Sequence, residues 1–294
     1  MSIPDNNKAK AIILLILLSL IWGTSFILMK RGLVVFSPGE VGSIRVVAAM
    51  LFLLPIAVTR LKELNGIQYG KLLISGLLGI FIPAFLFAAA QTRMESSVTG
   101  IMNTFTPICT LLIGIFFFRQ PFRPQSLLGI IIGLGGTVIL IFANYGGAIG
   151  GLNAFAFLVI IACILYGTNL NFIKYKVTEL KALTITSVSI LLISPLAILY
   201  LFGFTDFTTK LTTQPDAWKA LGYLVLLGIM STSVATIIFN YLVKISTPLF
   251  TSSVTYLIPI VAVMWGLLDG ENLLPGHFIG MIAIIGGVYL ANRK

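Results

Sequence analysis

Ten mostly apolar stretches fill nearly the whole chain, at approximately 11–30, 40–59, 70–92, 96–118, 124–143, 153–173, 183–203, 217–243, 248–268 and 275–291. Each is close to the ~20 residues that carry a helix across a bilayer. Barrel strands are excluded, because they alternate in polarity over about 10 residues and these runs are uniformly apolar. In lipid a helix satisfies every backbone group within its own segment. Charge confirms the solvent: 10% of the residues are charged, against about 25% in an ordinary soluble domain. The expected fold is an all-α integral membrane protein of ten transmembrane helices.

The short connections set the orientation. With the N-terminus inside, thirteen Lys and Arg residues fall in inner segments, among them Lys71, Lys174 and Lys244. Five fall outside (Lys30, Arg31, Arg93, Lys210 and Lys219), and Arg45 lies within a span. Inner loops carry the basic excess, so both termini are expected in the cytoplasm, with the chain in a bacterial inner membrane. The net charge of +10 is thereby explained without nucleic acid, which requires a basic patch or stripe. The first run follows Lys8 and Lys10 but is too long for a signal-peptide core and lacks a small-x-small cleavage site, so it reads as a retained helix. Cys109 and Cys163 sit deep in apolar runs and His277 stands alone. No disulfide framework, metal site, catalytic group or cofactor is expected from them.

The chain repeats itself. Ile21-Trp22-Gly23-Thr24-Ser25-Phe26 returns 144 positions later as Leu165-Tyr166-Gly167-Thr168-Asn169-Leu170. Leu54-Pro55-Ile56-Ala57 is echoed by Ser194-Pro195-Leu196-Ala197, and Leu77-Leu78-Gly79-Ile80 by Leu226-Leu227-Gly228-Ile229. Thr106-Pro107-Ile108 parallels Ile258-Pro259-Ile260, and Gly129 with Gly135-Gly136 parallels Gly280 with Gly286-Gly287. One match per span, in order, points to duplication, with repeats at 11–143 and 153–291. Five spans per repeat is an odd number, so the halves are expected to be inverted in the membrane. Inverted repeats are a signature of secondary transporters, with the solute near mid-membrane between the halves.

These residues resemble the EamA-type members of the drug/metabolite transporter superfamily. The resemblance rests on the Trp22-Gly23-Thr24-Ser25 motif, Ser43-Ile44-Arg45, Pro107, Pro259, Gly270-Glu271 and the twin glycine patterns, and it covers about 11–291. It implies a ten-helix carrier of small metabolites, often an exporter of amino acids or related compounds. One position departs: the acid after span 9 is Glu271, whereas the first half carries Arg119 there.

Helix geometry selects candidate solute contacts. Residues three apart share a face, so Ser19, Trp22 and Ser25 form one stripe, and Cys163, Tyr166 and Asn169 form its counterpart. An unpaired Asn169 in hydrocarbon is costly, which directs it toward protein or a wet cavity. The expected cavity residues are Trp22, Ser25, Asn103, Tyr166, Asn169, Thr255 and Tyr256. Gly23-Thr24 and Gly167-Thr168 instead read as helix-packing residues. Pro107 and Pro259 are expected to kink their spans and free the carbonyls of Asn103 and Thr255. Arg45 is the charge well inside a span, with gating and anion contact as its alternative roles. Gln91 and Asn240 occupy aligned positions and rank second. No Asp or Glu lies at mid-membrane, which points away from an embedded carboxylate relay.

The reading is a secondary transporter of an amino acid or similar polar or amphipathic solute, working by alternating access in the direction of export. Its expected partners are that solute and the lipid bilayer, with oligomeric state left open. A non-transporting sensor or assembly protein, and less so a membrane-embedded enzyme, are the competing classes. No P-loop is present to supply ATP drive.

Overall fold

The computed structural model describes residues 5–94, 99–100, 102–121, 124–144, 155–268 and 275–292. Every element among them is helical. The main helices are α1 (Asp5–Gly32), α2 (Pro38–Leu61), α3 (Gly66–Ala90), α4 (Asn103–Phe118), α5 (Pro124–Asn144), α6 (Ala156–Lys176), α7 (Ala182–Gly203), α8 (Ala217–Ile245), α9 (Pro248–Ser252 continuing as Val254–Leu268) and α10 (Pro275–Asn292). A short helix, Phe207–Thr213, lies between α7 and α8. Six helices among the described residues are long and apolar enough to cross a membrane: α1, α2, α3, α6, α7 and α8. The apolar stretches described in α4, α5, α9 and α10 are shorter. The chain is an integral membrane protein.

Local chemistry sets several helix ends. At the start of α2, Ser37 and Glu40 form a capping box with Pro38 in the first turn, so two otherwise orphaned N–H groups are satisfied reciprocally. The Glu40 carboxylate is fully buried and also accepts from Lys210 Nζ at 2.6 Å. Asn65 and Gln68 build the same box at the start of α3. Thr247 caps α9, accepting from the Phe250 N–H at 3.1 Å, with Pro248 following. At the end of α4 the chain turns through Arg119 in the left-handed region, φ 52°.

The packing partners come in corresponding sets. Helix α1 lies against α8 and α9, while α6 lies against α3 and α4. Helix α2 packs on α7, and α5 on α10. Two glycines of the repeated motif permit the close crossings. A Cβ on Gly23 would fall 2.5 Å from Val261 Cβ on α9, and one on Gly167 would fall 2.7 Å from the Thr110 backbone nitrogen on α4. Small residues let helix backbones approach in this way. Thr24 and Thr168 each donate to the carbonyl four residues earlier, at 2.8 Å. The Gly129/Gly133 pattern serves the α5–α10 contact, where a Cβ on Gly287 would collide with the backbone of both.

Lysines tie two helix ends together. Lys174 at the end of α6 donates to the carbonyls of Val243, Lys244 and Ser246 at 3.0, 3.3 and 2.6 Å. Lys244 at the end of α8 returns the contact, donating to the carbonyls of Val177 and Thr178. A cation at a helix C-terminus meets the carbonyls left without intrahelical partners. Nearby, Lys71 pairs with Glu179 at 2.9 Å, and that hydrogen bond, helped by a backbone contact, holds the Glu179 carboxyl below the usual carboxylate range.

Candidate functional site

The repeated motif leads into a cavity. Trp22, Ser25, Arg45, Asn103, Tyr166, Asn169 and Thr255 all line it, together with groups from α3 and α8. The cavity volume is about 90 Å3. A single water needs about 10–15 Å3 by that measure, so there is room for several waters or a small solute.

Each aromatic of the two stripes meets a phenylalanine from the opposite half. Trp22 on α1 meets Phe239 on α8 edge-on at 4.9 Å, and Tyr166 on α6 stacks on Phe87 of α3 at 5.9 Å. Phe26 joins Phe87 at 6.0 Å. The cavity thus has aromatic walls contributed by both sequence halves.

Two local departures from α-helical geometry shape the site. Helix α3 contains a π turn at Leu77–Phe81, and α8 contains one at Gly228–Val234. Both fall at the duplicated Leu-Leu-Gly-Ile sequence. A π turn shifts the local hydrogen-bond register, and here the surrounding polar groups attach to it. Trp22 Nε1 donates to the Ser231 carbonyl at 3.1 Å, and Arg45 Nε donates to Thr232 Oγ1 at 3.1 Å. In the first half, Gly79 of the π turn lies so close to Asn169 that a Cβ would fall 2.1 Å from Asn169 Nδ2. Asn169 Oδ1 is buried and accepts no hydrogen bond from the described residues.

Asn103 sits in a 3-10 turn, Asn103–Phe105, before the α-helical part of α4 begins at Thr106. Its side-chain oxygen accepts from Thr106 Oγ1 at 3.0 Å. Pro107 therefore occupies the first turn of that α-helix rather than kinking its interior, because its missing N–H is an orphan there in any case. The Asn103 carbonyl accepts the Thr106 N–H and faces the Cys163 thiol. Pro259 does lie inside a helix, Val254–Leu268.

Tyr256 is not brought to the cavity. It is fully buried, and its ring lies where a Cβ added to Gly133 of α5 would meet it at 3.1 Å. One step along a helix turns a side chain by about 100°, so Thr255 faces the cavity and its neighbour faces α5. Ser19 donates to the Ile16 carbonyl and does not line the cavity. Asn240 does line it and donates to Thr186 Oγ1 at 2.8 Å, while Gln91 caps α3 away from it. Glu271, the first-half/second-half mismatch with Arg119, lies outside the described residues. Residues unforeseen from sequence are Ser231, Thr232, Thr236 and Ser252. The polar triplet Ser231-Thr232-Ser233 inside an apolar run was a readable signal for the first two.

Two matches to one family model, at residues 9–142 and 153–293, cover nearly the whole chain. The chain belongs to the EamA-like transporter family. An inner membrane transporter of Escherichia coli K12, YedA, described as uncharacterized, is 26% identical over 286 residues, which is 93% of this chain and 87% of that one. An uncharacterized transporter of Archaeoglobus fulgidus is 24% identical over 93% of this chain and 95% of its own. Bacillus subtilis YvbV, also named an uncharacterized transporter, is 20% identical over 98% and 93%. A solved crystal structure with 16% identity superposes with a TM-score of 0.73 over 96% of each chain, which identifies a shared fold.

Proposed function

We propose that this EamA-like protein is a secondary transporter that moves a small amino-acid-like or amphipathic solute by alternating access, with export as its working direction. Its two five-helix repeats are inverted, both termini are cytoplasmic, and the solute occupies the cavity between the repeats. The observation that carries this reading is the pairing of the duplicated motif across one cavity, Trp22 and Ser25 from α1 with Tyr166 and Asn169 from α6. The helix contacts support the symmetry. Exchanging each helix with the one five places away converts α1–α9 into α6–α4 and α1–α8 into α6–α3, and it maps α2–α7 and α5–α10 onto themselves. Two matched halves can exchange conformations at nearly equal energy, which gives two states open to opposite sides. The five positive residues assigned outside against thirteen inside support the orientation.

The test is release from proteoliposomes loaded with a metabolite mixture and read by mass spectrometry, for wild type and Trp22→Ala. Selective release by wild type that falls at least tenfold in the variant is the expected result. Unchanged release by the variant would move the site elsewhere. No release from folded wild-type protein would favour the sensor or assembly reading.

A further inference from the structure

Arg45 carries the only formal charge on the cavity wall described here. The other lining groups are neutral, among them Asn103, Tyr166, Asn169, Thr232 and Asn240. Arg45 is half-buried, and its one hydrogen bond among the described residues is from Nε to Thr232 Oγ1. The nearest acid on its own helix, Glu40, is already engaged by Lys210 and by the Ser37 N–H. Among the described residues, no ion pair involves Arg45. The guanidinium is therefore fixed at one edge by a hydroxyl, and its terminal nitrogens have no hydrogen-bond partner among the described residues.

A charge in such a setting is costly unless paired. The fork that Arg45 leaves free matches a carboxylate, which accepts two parallel N–H bonds in one plane. A single cation neutralises a single negative charge, so a dianionic phosphate would leave a charge uncompensated. The same cavity wall carries Phe26, Phe87, Phe239 and Ile258, an apolar lining for the body of the solute. The unpartnered Asn169 Oδ1 adds a buried acceptor for an N–H or O–H donor.

We infer that Arg45 is the specificity-determining residue of the site, selecting solutes that carry one carboxylate and an apolar body. This rests on the cavity being the transport site. Thr232 is the positioning residue: it holds the guanidinium edge so that the free fork faces the solute. Tyr166 and Trp22 supply walls without formal charge, so attraction of a carboxylate over its amide falls on Arg45.

The test separates binding from transport. Full-length purified protein is heated in detergent with isocaproate, benzoate or L-leucine, and with the matching amide of each, for wild type, Arg45→Gln and Arg45→Lys. At least one carboxylate is expected to raise Tm by several degrees while its amide does not. The preference should vanish in Arg45→Gln and fall at least fivefold in apparent affinity in Arg45→Lys, which keeps the charge and loses the fork. A preference retained in Arg45→Gln, equal shifts by acid and amide, or no shift by any of the three acids on wild type would overturn the inference. If Arg45→Gln does not fold, Thr232→Val is used, with a weakened acid preference expected and an unaltered one contradictory. Release of neutral or cationic compounds alone from proteoliposomes would leave the transporter standing and remove the anion site. Absence of all release would remove the transporter, with the Tm comparison still deciding the anion site.

Discussion

At the scale of single residues, similar glycines carry different consequences. A Cβ at Gly167 meets the α4 backbone at Thr110, and backbone cannot yield without moving a helix. Gly167→Ala is expected to destabilise by about 1–3 kcal/mol, the usual cost of forcing extra volume into a packed contact. A Cβ at Gly79 meets the end of the Asn169 side chain, which can rotate away. Gly79→Ala is expected to shift Tm by far less than Gly167→Ala, yet to alter solute release by displacing Asn169. Thermal melts and proteoliposome release on both variants check the contrast, and a Gly79→Ala protein with wild-type release would show that Asn169 does not touch solute. The motif residues Trp22, Ser25, Tyr166 and Asn169 were legible because helical spacing alone puts them on one stripe in each half. Tyr256 was misread because adjacency to Thr255 in sequence is a large rotation in space. The Arg45–Thr232 contact was out of reach, since 187 residues separate the partners and local periodicity says nothing about which face of α8 turns inward.

At the scale of elements, long apolar runs give helices directly, because lipid leaves the backbone no other way to satisfy itself. The six long spans were legible for that reason. The π turns in α3 and α8 were not, although both sit on duplicated sequence: their register shift depends on what packs against them, and Gly228 lies 2.6 Å (as a Cβ) from the Arg45 carbonyl of α2. Pro107 illustrates the same limit, since its effect depends on where its helix begins. The lysine tie between α6 and α8 is a further consequence of assembly. Lys174→Met would leave the Val243, Lys244 and Ser246 carbonyls without their charged donor. Hydrogen bonds to charged groups contribute about 1.5–3 kcal/mol, so the variant should melt at a lower temperature by a corresponding few degrees. In the alternating-access reading the two helix ends must also separate, so Lys174→Met should exchange solute faster or favour the inward-open state. An unchanged Tm would show that the tie is replaced by water at no cost.

At the scale of the whole molecule, duplication, paired packing and a shared cavity form one argument. A stripe written twice contributes one wall from each half, and the helices around it keep the same neighbours when the halves are exchanged. In the proposed alternating-access reading, such an arrangement has two equivalent ways to lean, and the cavity is the part that both share. The most direct test of that claim is side-specific labelling of Ser252→Cys in a background where Cys109 and Cys163 are serine. Ser252 lines the cavity and is buried in this structure. A membrane-impermeant maleimide is added to right-side-out and to inside-out vesicles, with and without transported solute. Labelling from both sides, slowed by solute from each, is expected. Labelling confined to one side under every condition would contradict alternating access through this cavity.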